Sequence, residues 1–359
     1  MLKKTIIVLT SITILLYVSF SGAKVWLTSL LPEKAHFEAL KKTQTQDLTY
    51  VTKNQPEYRG KILAVVTSVG TMGEDKATGY EHTELARAYY VFVANGFEVD
   101  IASPKGGKSP VVYDNEDMGR FDYAFLNDLK IQEKVEHSIP LADINPQDYE
   151  AVYFVGGKGT MFDFPDNKDI QRITKALYQE NKVISAVCHG PAALVNVTLD
   201  DGSSLLANKK VSAFTNVEEL TLIPDAKEIF PFLLEDKLVE QGVQFQSGMT
   251  YLEQVSQDGK LITGQNPWSV WRMAEMVIAE LGYTPKPRVR TPEEHAVDVL
   301  ATYRTHGIEA ARRLIREQPH AIQKILIVMH GVMAFMQFEL GAGIDILKLA
   351  NELKHLTAK

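Results

Sequence analysis

The sequence predicts a doubly wound α/β domain: a mostly parallel sheet covered by helices on both faces, with a nucleophile elbow, and a helical extension at the C-terminal end. Three observations carry that prediction. Short β-branched runs alternate with segments of helical period from Lys61 onward. These runs are continuously apolar, as strands buried on both faces are. One of them ends directly on a cysteine, and a glycine-proline helix start follows.

The chain has 359 residues, more than the roughly 100–200 usual for one domain, so appendages or a second domain are expected. Residues 1–33 read as a signal peptide or a membrane anchor. Lys3 and Lys4 precede an uncharged, largely apolar run from Thr5 to Ala23, near the lower limit for crossing about 30 Å of hydrocarbon. Ser21-Gly22-Ala23 offers a cleavage site, whereas Val25, Trp26, Leu27, Leu30 and Leu31 carry the apolar character past it, so a cut signal and an intact anchor both fit. Either places the protein at the cell membrane or exported beyond it, periplasmic or otherwise extracytoplasmic, with an N-terminal membrane contact if the anchor stays. Residues 34–58 are polar, contain KKTQTQ, and read as a linker.

Residues 59–286 carry the α/β pattern. KILAVVTSV, from Lys61, is a strand. EHTELARAYYVFVANG places Leu85, Ala88, Tyr89, Phe92 and Val93 at helical spacing and closes on Gly96. FEVDIAS is the next strand; AVYFVGG, DIQRITKALYQEN, KVISAV and a helix from about Pro191 continue the alternation. Right-handed crossovers then make the sheet parallel. Residues 287–359 are a helical extension. TPEEH opens it with a threonine, a proline and two glutamates, a well-formed helix start. KILIVMHGVMAFMQF is apolar, but it falls short of the ~18 residues of a membrane span and lies between charged helices, so it predicts a core helix of a small bundle.

Composition excludes some partners. The net charge is −7 with both signs scattered along the chain, so no basic stripe serves nucleic acid. The single cysteine rules out an intrachain disulfide. His82 and Glu84 are two apart and face different sides of a helix, the other histidines are scattered, and no dinucleotide fingerprint occurs; no metal and no cofactor is expected.

Cys188 lies in AVCHGPAAL. A lone cysteine is more often a small buried apolar residue than a nucleophile. This one stands where a strand turns into a helix, at the carboxyl end of the sheet where reactive crevices form, with His189 behind it. A helix N-terminus aimed at the sulfur would favour thiolate and depress its pKa.

AVCHGPAAL, taken with TGYEHTE (78–84), ASPKGG (102–107), VGGKGTMFDFPDN (155–167) and ITGQNPWS (262–269), resembles the PfpI-like cysteine superfamily. That superfamily has a flavodoxin-like fold related to class I glutamine amidotransferases, and the likeness is to its glyoxalase III and heat-shock chaperone branch. The resemblance implies that Cys188 is the nucleophile, that His189 is its base, and that Glu84 hydrogen-bonds the cysteine from the first helix. It places a triad acid in VSAFTNVEEL, where spacing from Phe214 favours Glu219 with Glu218 as the alternative. It gives the amides of Gly156 and Gly157 to an oxyanion. Many relatives read GGHG at that point, whereas this chain has GGKG with Lys158. The implied activity is that of a glutathione-independent glyoxalase of the stress response, a homodimer converting a small reactive dicarbonyl, methylglyoxal, to lactate without a cofactor. A holdase chaperone and a cysteine peptidase or amidase are the alternatives. Amidotransferases of this fold pair their cysteine with a distant His-x-Glu, and none follows Cys188, which argues against glutamine hydrolysis.

Overall fold

The structure, a computed structural model, describes residue 26 and residues 28–30, 34–115 and 117–357. It divides into two units, Ala39–Thr291 and a second built from Met1–Glu38 with Pro292–Lys359.

The larger unit holds a seven-stranded sheet. Its strands are β1 (Lys61–Val65), β2 (Glu98–Ser103), β3 (Ile139–Pro140), β4 (Ala151–Phe154), β5 (Val183–Val187), β6 (Val255–Asp258) and β7 (Leu261–Gly264). They lie in the order β6-β7-β5-β4-β1-β2-β3, all parallel except the β6–β7 hairpin. Alternation explains why the runs are apolar throughout. In β1, Ile62 and Ala64 join one core with residues of α1 (His82–Ala94) and α4 (Val270–Glu280), while Leu63 and Val65 join the other with residues of α2 (Lys168–Gln179). Both faces are covered, so a polar side chain there needs a partner: the fully buried Ser185 of β5 donates its hydroxyl to the Val152 carbonyl at 2.9 Å.

Register brings two loops together. Phe154 pairs with Ala186 and Val65 with Phe154, so the segments leaving β4 and β5 emerge at one level of the sheet's carboxyl edge. Gly156 and Cys188 each lie two residues beyond the Phe154–Ala186 pair.

Two expected elements differ. The helix expected from about Pro191 is a five-residue 3₁₀ turn, Gly190–Leu194, because the chain there is pressed against β4: a Cβ on Gly190 would sit 2.3 Å from the Phe154 carbonyl oxygen. The stretch 34–58, expected as a linker, is part of the domain over much of its length. Leu48 and Val51 are buried in the core, and Thr45 Oγ1 lies 2.7 Å from both the Tyr90 hydroxyl and Asp128 Oδ2. The polar composition of KKTQTQ hid two apolar side chains placed three apart in the turn that follows.

The smaller unit contains α5 (Pro292–His306), α6 (Ile308–Glu317), α7 (Lys324–Met336) and α8 (Leu340–Thr357). The apolar helix α7 packs on α8 through glycines: a Cβ on Gly331 would lie 2.7 Å from Leu347 Cδ2, and one on Gly343 would lie 2.8 Å from Phe335. Gly331 therefore marks a close helix contact.

The expected placement at or beyond the membrane, with an N-terminal membrane contact, is corrected. The run from Thr5 to Ala23 lies outside the described residues, and among the described residues no helix is long and apolar enough to cross a membrane. Leu30, which extended the apolar character in the sequence, is fully buried, and the neighbouring Ser29 hydroxyl accepts a hydrogen bond from Lys354 of α8 at 2.9 Å. Its apolar surface belongs to a protein core.

Residues 39–291 expressed alone should melt cooperatively, and the same piece begun at residue 59 should melt several degrees lower. Burying one such aliphatic side chain contributes about 1.5–3 kcal/mol, and each kcal/mol moves Tm by about 2–4 °C in a domain of this size. Equal melting temperatures by calorimetry would return residues 39–58 to the status of a tether.

Candidate active site

Cys188 follows β5 without a spacer and adopts φ +58°, a left-handed conformation that costs a non-glycine residue about 1–3 kcal/mol. Neighbouring backbone holds it there. Its N–H donates to the Gly264 carbonyl of β7 and its carbonyl accepts from Phe214 N–H, each at 2.9 Å. Gly156 lies directly beneath, where a Cβ would come within 2.7 Å of Cys188 Cβ and 2.5 Å of Glu84 Oε2. Only glycine fits between the two.

A chain of contacts runs outward from the sulfur. Cys188 Sγ lies 3.2 Å from His189 Nδ1, and His189 Nε2 lies 2.5 Å from Glu219 Oε2. With Nε2–H donating to the carboxylate, Nδ1 carries the lone pair that faces sulfur. Phe214 covers the imidazole with ring centroids 4.5 Å apart. Burial alone would raise the Glu219 carboxyl, but the adjoining His189 holds it below its ordinary value.

Glu218, one residue earlier, is engaged elsewhere. Its Oε2 accepts from the N–H and hydroxyl of Thr215, capping α3 (Asn216–Leu222), and its Oε1 accepts from Tyr251 N–H, Gln265 Nε2 and Asn266 Nδ2 at 2.7, 2.9 and 3.0 Å. A fully buried carboxylate with five donors fixes three loops. Gln265 and Asn266, in ITGQNPWS, thus hold the segment that carries Glu218 and Glu219, a role unread in the sequence because its acceptor lies nearly fifty residues away.

Glu84 stands in the first turn of α1, completely buried. Its Oε2 accepts from Gly156 N–H at 2.7 Å, and its Oε1 is buried with no hydrogen-bond partner. Burial pushes this carboxyl up to about 7, against the opposing pull of Cys188 and the Gly156 amide. Burial, then the charge of Glu84, push the Cys188 thiol up as well. Two such neighbours cannot both ionise cheaply, so the carboxyl gives up its proton only as pH rises through about 7, and the thiol keeps its own beyond that. This runs against the thiolate expected from a helix dipole: a five-residue 3₁₀ turn stands where that helix was expected, and the sulfur is buried beside an acid. Glu81, at the N-cap of α1, is pushed up to about 8 by burial and then by Glu84.

The expected oxyanion amides separate. Gly156 N–H is taken by Glu84, which removes it from that role. Among the described residues no acceptor takes the N–H of Gly157 or of His189, leaving one unengaged amide on each loop. The His189 amide leaves no mark in the sequence, where the residue reads through its side chain alone. Thr160 Oγ1, 2.9 Å from the Gly157 carbonyl and 3.1 Å from the His189 carbonyl, ties the two loops. Among the described residues no group of His, Cys, Asp and Glu could hold a metal ion.

The DJ-1/PfpI family model matches residues 76–280, more than half of the chain. The chain belongs to the DJ-1/PfpI family. Curated DJ-1/PfpI relatives include glyoxalase 3 of Candida albicans, 30% identical over 247 residues that cover 61% of this chain and 97% of that protein. A glutathione-independent glyoxalase of Saccharomyces cerevisiae is 30% identical over 224 residues, covering 58% and 92%. Among solved structures, glyoxalase III of Candida albicans superposes with a TM-score of 0.56 at 28% identity, covering 63% of this chain and 98% of that one. Rapid Encystment Protein 24 KDa of Francisella tularensis gives 0.58 at 35% identity, covering 62% and 99%.

Glu84→Gln should raise Tm, and by more at pH 8 than at pH 5. The wild-type carboxyl titrates near its ordinary 4.5 when unfolded and near 7 when folded, so the folded state binds the extra proton between those values. The stability linked to that proton is complete below about 4.5 and lost as pH rises through 7. The amide has no proton to lose. A Tm difference that is flat with pH would mean that Glu84 is charged in the folded state at every pH tested.

Proposed function

We propose that this protein is a cofactor-independent, glutathione-independent glyoxalase of the glyoxalase III type, converting methylglyoxal to lactate, with Cys188 as nucleophile, His189 as base and Glu219 as the acid that orients it. The continuous Cys188–His189–Glu219 contact carries the reading, and the names of the relatives agree with it. A homodimer and a role in stress response belong to the same proposal.

His189 Nδ1 takes the thiol proton as sulfur adds to the aldehyde carbon, and returns it to the new alkoxide, giving a hemithioacetal. The amides of Gly157 and His189 support the negative oxygen as it forms. His189 then removes the proton on that carbon, and the electron pair moves to make an enediolate. The hydroxyl proton passes from the first oxygen to the second and the abstracted proton is delivered to the neighbouring carbon, leaving a thioester of lactate. Water hydrolyses the thioester, releasing lactate and restoring the thiol. Carbon and hydrogen balance with one water added, and no electrons enter or leave. Glu84, holding a proton near neutral pH, donates from its otherwise unpartnered Oε1 whenever the sulfur carries charge.

Cys188→Ala should abolish lactate formation from methylglyoxal without added thiol, while changing any suppression of client aggregation little. Glu219→Gln should lower kcat/KM about 10²–10⁴-fold, the usual scale for an acid–base participant, with a small change in Tm. Glu218→Gln should do the reverse, since its loss strands several buried donors. Full turnover in Cys188→Ala would remove the enzyme reading and bring the holdase reading forward. Cysteine-dependent cleavage of amides without dicarbonyl turnover would favour the peptidase.

A further inference from the structure

Lys158 stands at the centre of GGKG, in the loop that also carries Gly157. Close backbone approaches pin that loop on both sides of the lysine. A Cβ on Gly157 would lie 2.4 Å from the Gly79 carbonyl and 2.6 Å from Glu81 N; one on Gly159 would lie 2.7 Å from Thr67 Cγ2 and from the Val69 carbonyl. Thr160 ties the same loop to His189. Lys158 therefore leaves a fixed piece of backbone, directly after an unengaged amide and two residues beyond the glycine that touches Cys188.

Its side chain is half-buried, and among the described residues no hydrogen bond or ion pair engages the ammonium. The charges around it are acidic. Lys158 acts electrostatically on Glu81, Glu84, Glu219 and Cys188, lowering the pKa of each. Arg87, which acts on Glu84, is committed to Asp122, to the carbonyls of Asp117 and Pro267 and to the Trp268 ring. Left to its carboxylates, the site would repel an anion. An unengaged ammonium on a fixed loop beside the reacting sulfur reverses that locally.

We propose that Lys158 forms an anion subsite which makes this enzyme prefer dicarbonyls carrying a carboxylate or phosphate on the carbon next to the ketone over their neutral counterparts. The proposal rests on the glyoxalase reading and names the substrate class of that site. The ammonium binds the anionic group in the ground state, so the preference falls mainly on KM.

The test compares methylglyoxal with methylglyoxal phosphorylated on its methyl carbon, using the full chain at low and at high salt. The phosphorylated substrate should show a kcat/KM about tenfold higher at low salt, the scale of a hydrogen bond to a charged group. The advantage should shrink as salt rises, while methylglyoxal turnover stays level. Lys158→Gln should abolish the ratio and Lys158→Arg should keep most of it. Because the ratio compares two substrates on one protein, any effect of the lysine on the thiol cancels. A ratio of one in the wild type, or a ratio that survives Lys158→Gln, overturns the subsite while leaving the glyoxalase reading intact. Failure to turn over either substrate overturns both.

Discussion

The left-handed conformation of Cys188 is the constraint on which the rest of the site depends. A non-glycine residue at φ +58° persists only where its surroundings leave no alternative. Here its N–H is fixed by β7 and its carbonyl by the segment that leads into α3. Those bonds aim the side chain out of the sheet edge and turn His189 back so that its Nδ1 faces the sulfur. They also require glycine at 156 and 190, since the loop after β4 and the backbone of β4 itself crowd the turn. Gly156 and Gly190, one after each strand, are consequences of one backbone angle.

The site concentrates buried carboxylates, and each is made tolerable differently. Glu218 is surrounded by donors and acts as a strut. Glu219 is neighbour to an imidazole that accepts charge. Glu84 has one amide and an empty oxygen, and it carries a proton instead. This division follows from the number of donors each meets, since a buried carboxylate without enough of them neutralises rather than remain ionised. Adjacent glutamates in one short helix can therefore do unlike things.

Much of this was legible in the sequence. The sheet and its crossovers were, because runs such as KILAV and VISAV are apolar on both faces and the helical period of 82–94 is intact. Cys188, His189 and Glu84 were legible because strand ends and a helix start place them at one edge. What was hidden involves partners distant in sequence. The choice between Glu218 and Glu219 turns on Gln265, Asn266 and Tyr251, and the fate of the Gly156 amide turns on a glutamate more than seventy residues earlier. Leu48 and Val51 were hidden for another reason: two buried residues in a polar stretch give no periodicity to read.

The position of the proton decides how the sulfur is activated. A helix dipole would have made a standing thiolate, reactive before any substrate arrives. The structure gives the opposite setting, with the thiol raised by burial and by Glu84, so ionisation must accompany attack. His189 is built for that task. Its Nε2 is anchored to Glu219, its Nδ1 faces the sulfur, and its ring is clamped against Phe214. If His189 is the proposed base, it waits for substrate and leaves the thiol protonated until then, and a protonated thiol is slow to oxidise and slow to alkylate. On the glyoxalase reading proposed above, whose substrates are themselves electrophiles, this would confine reaction to molecules that also reach the amides of Gly157 and His189. Selectivity then comes from coupling proton transfer to binding, which the buried Glu84 enforces.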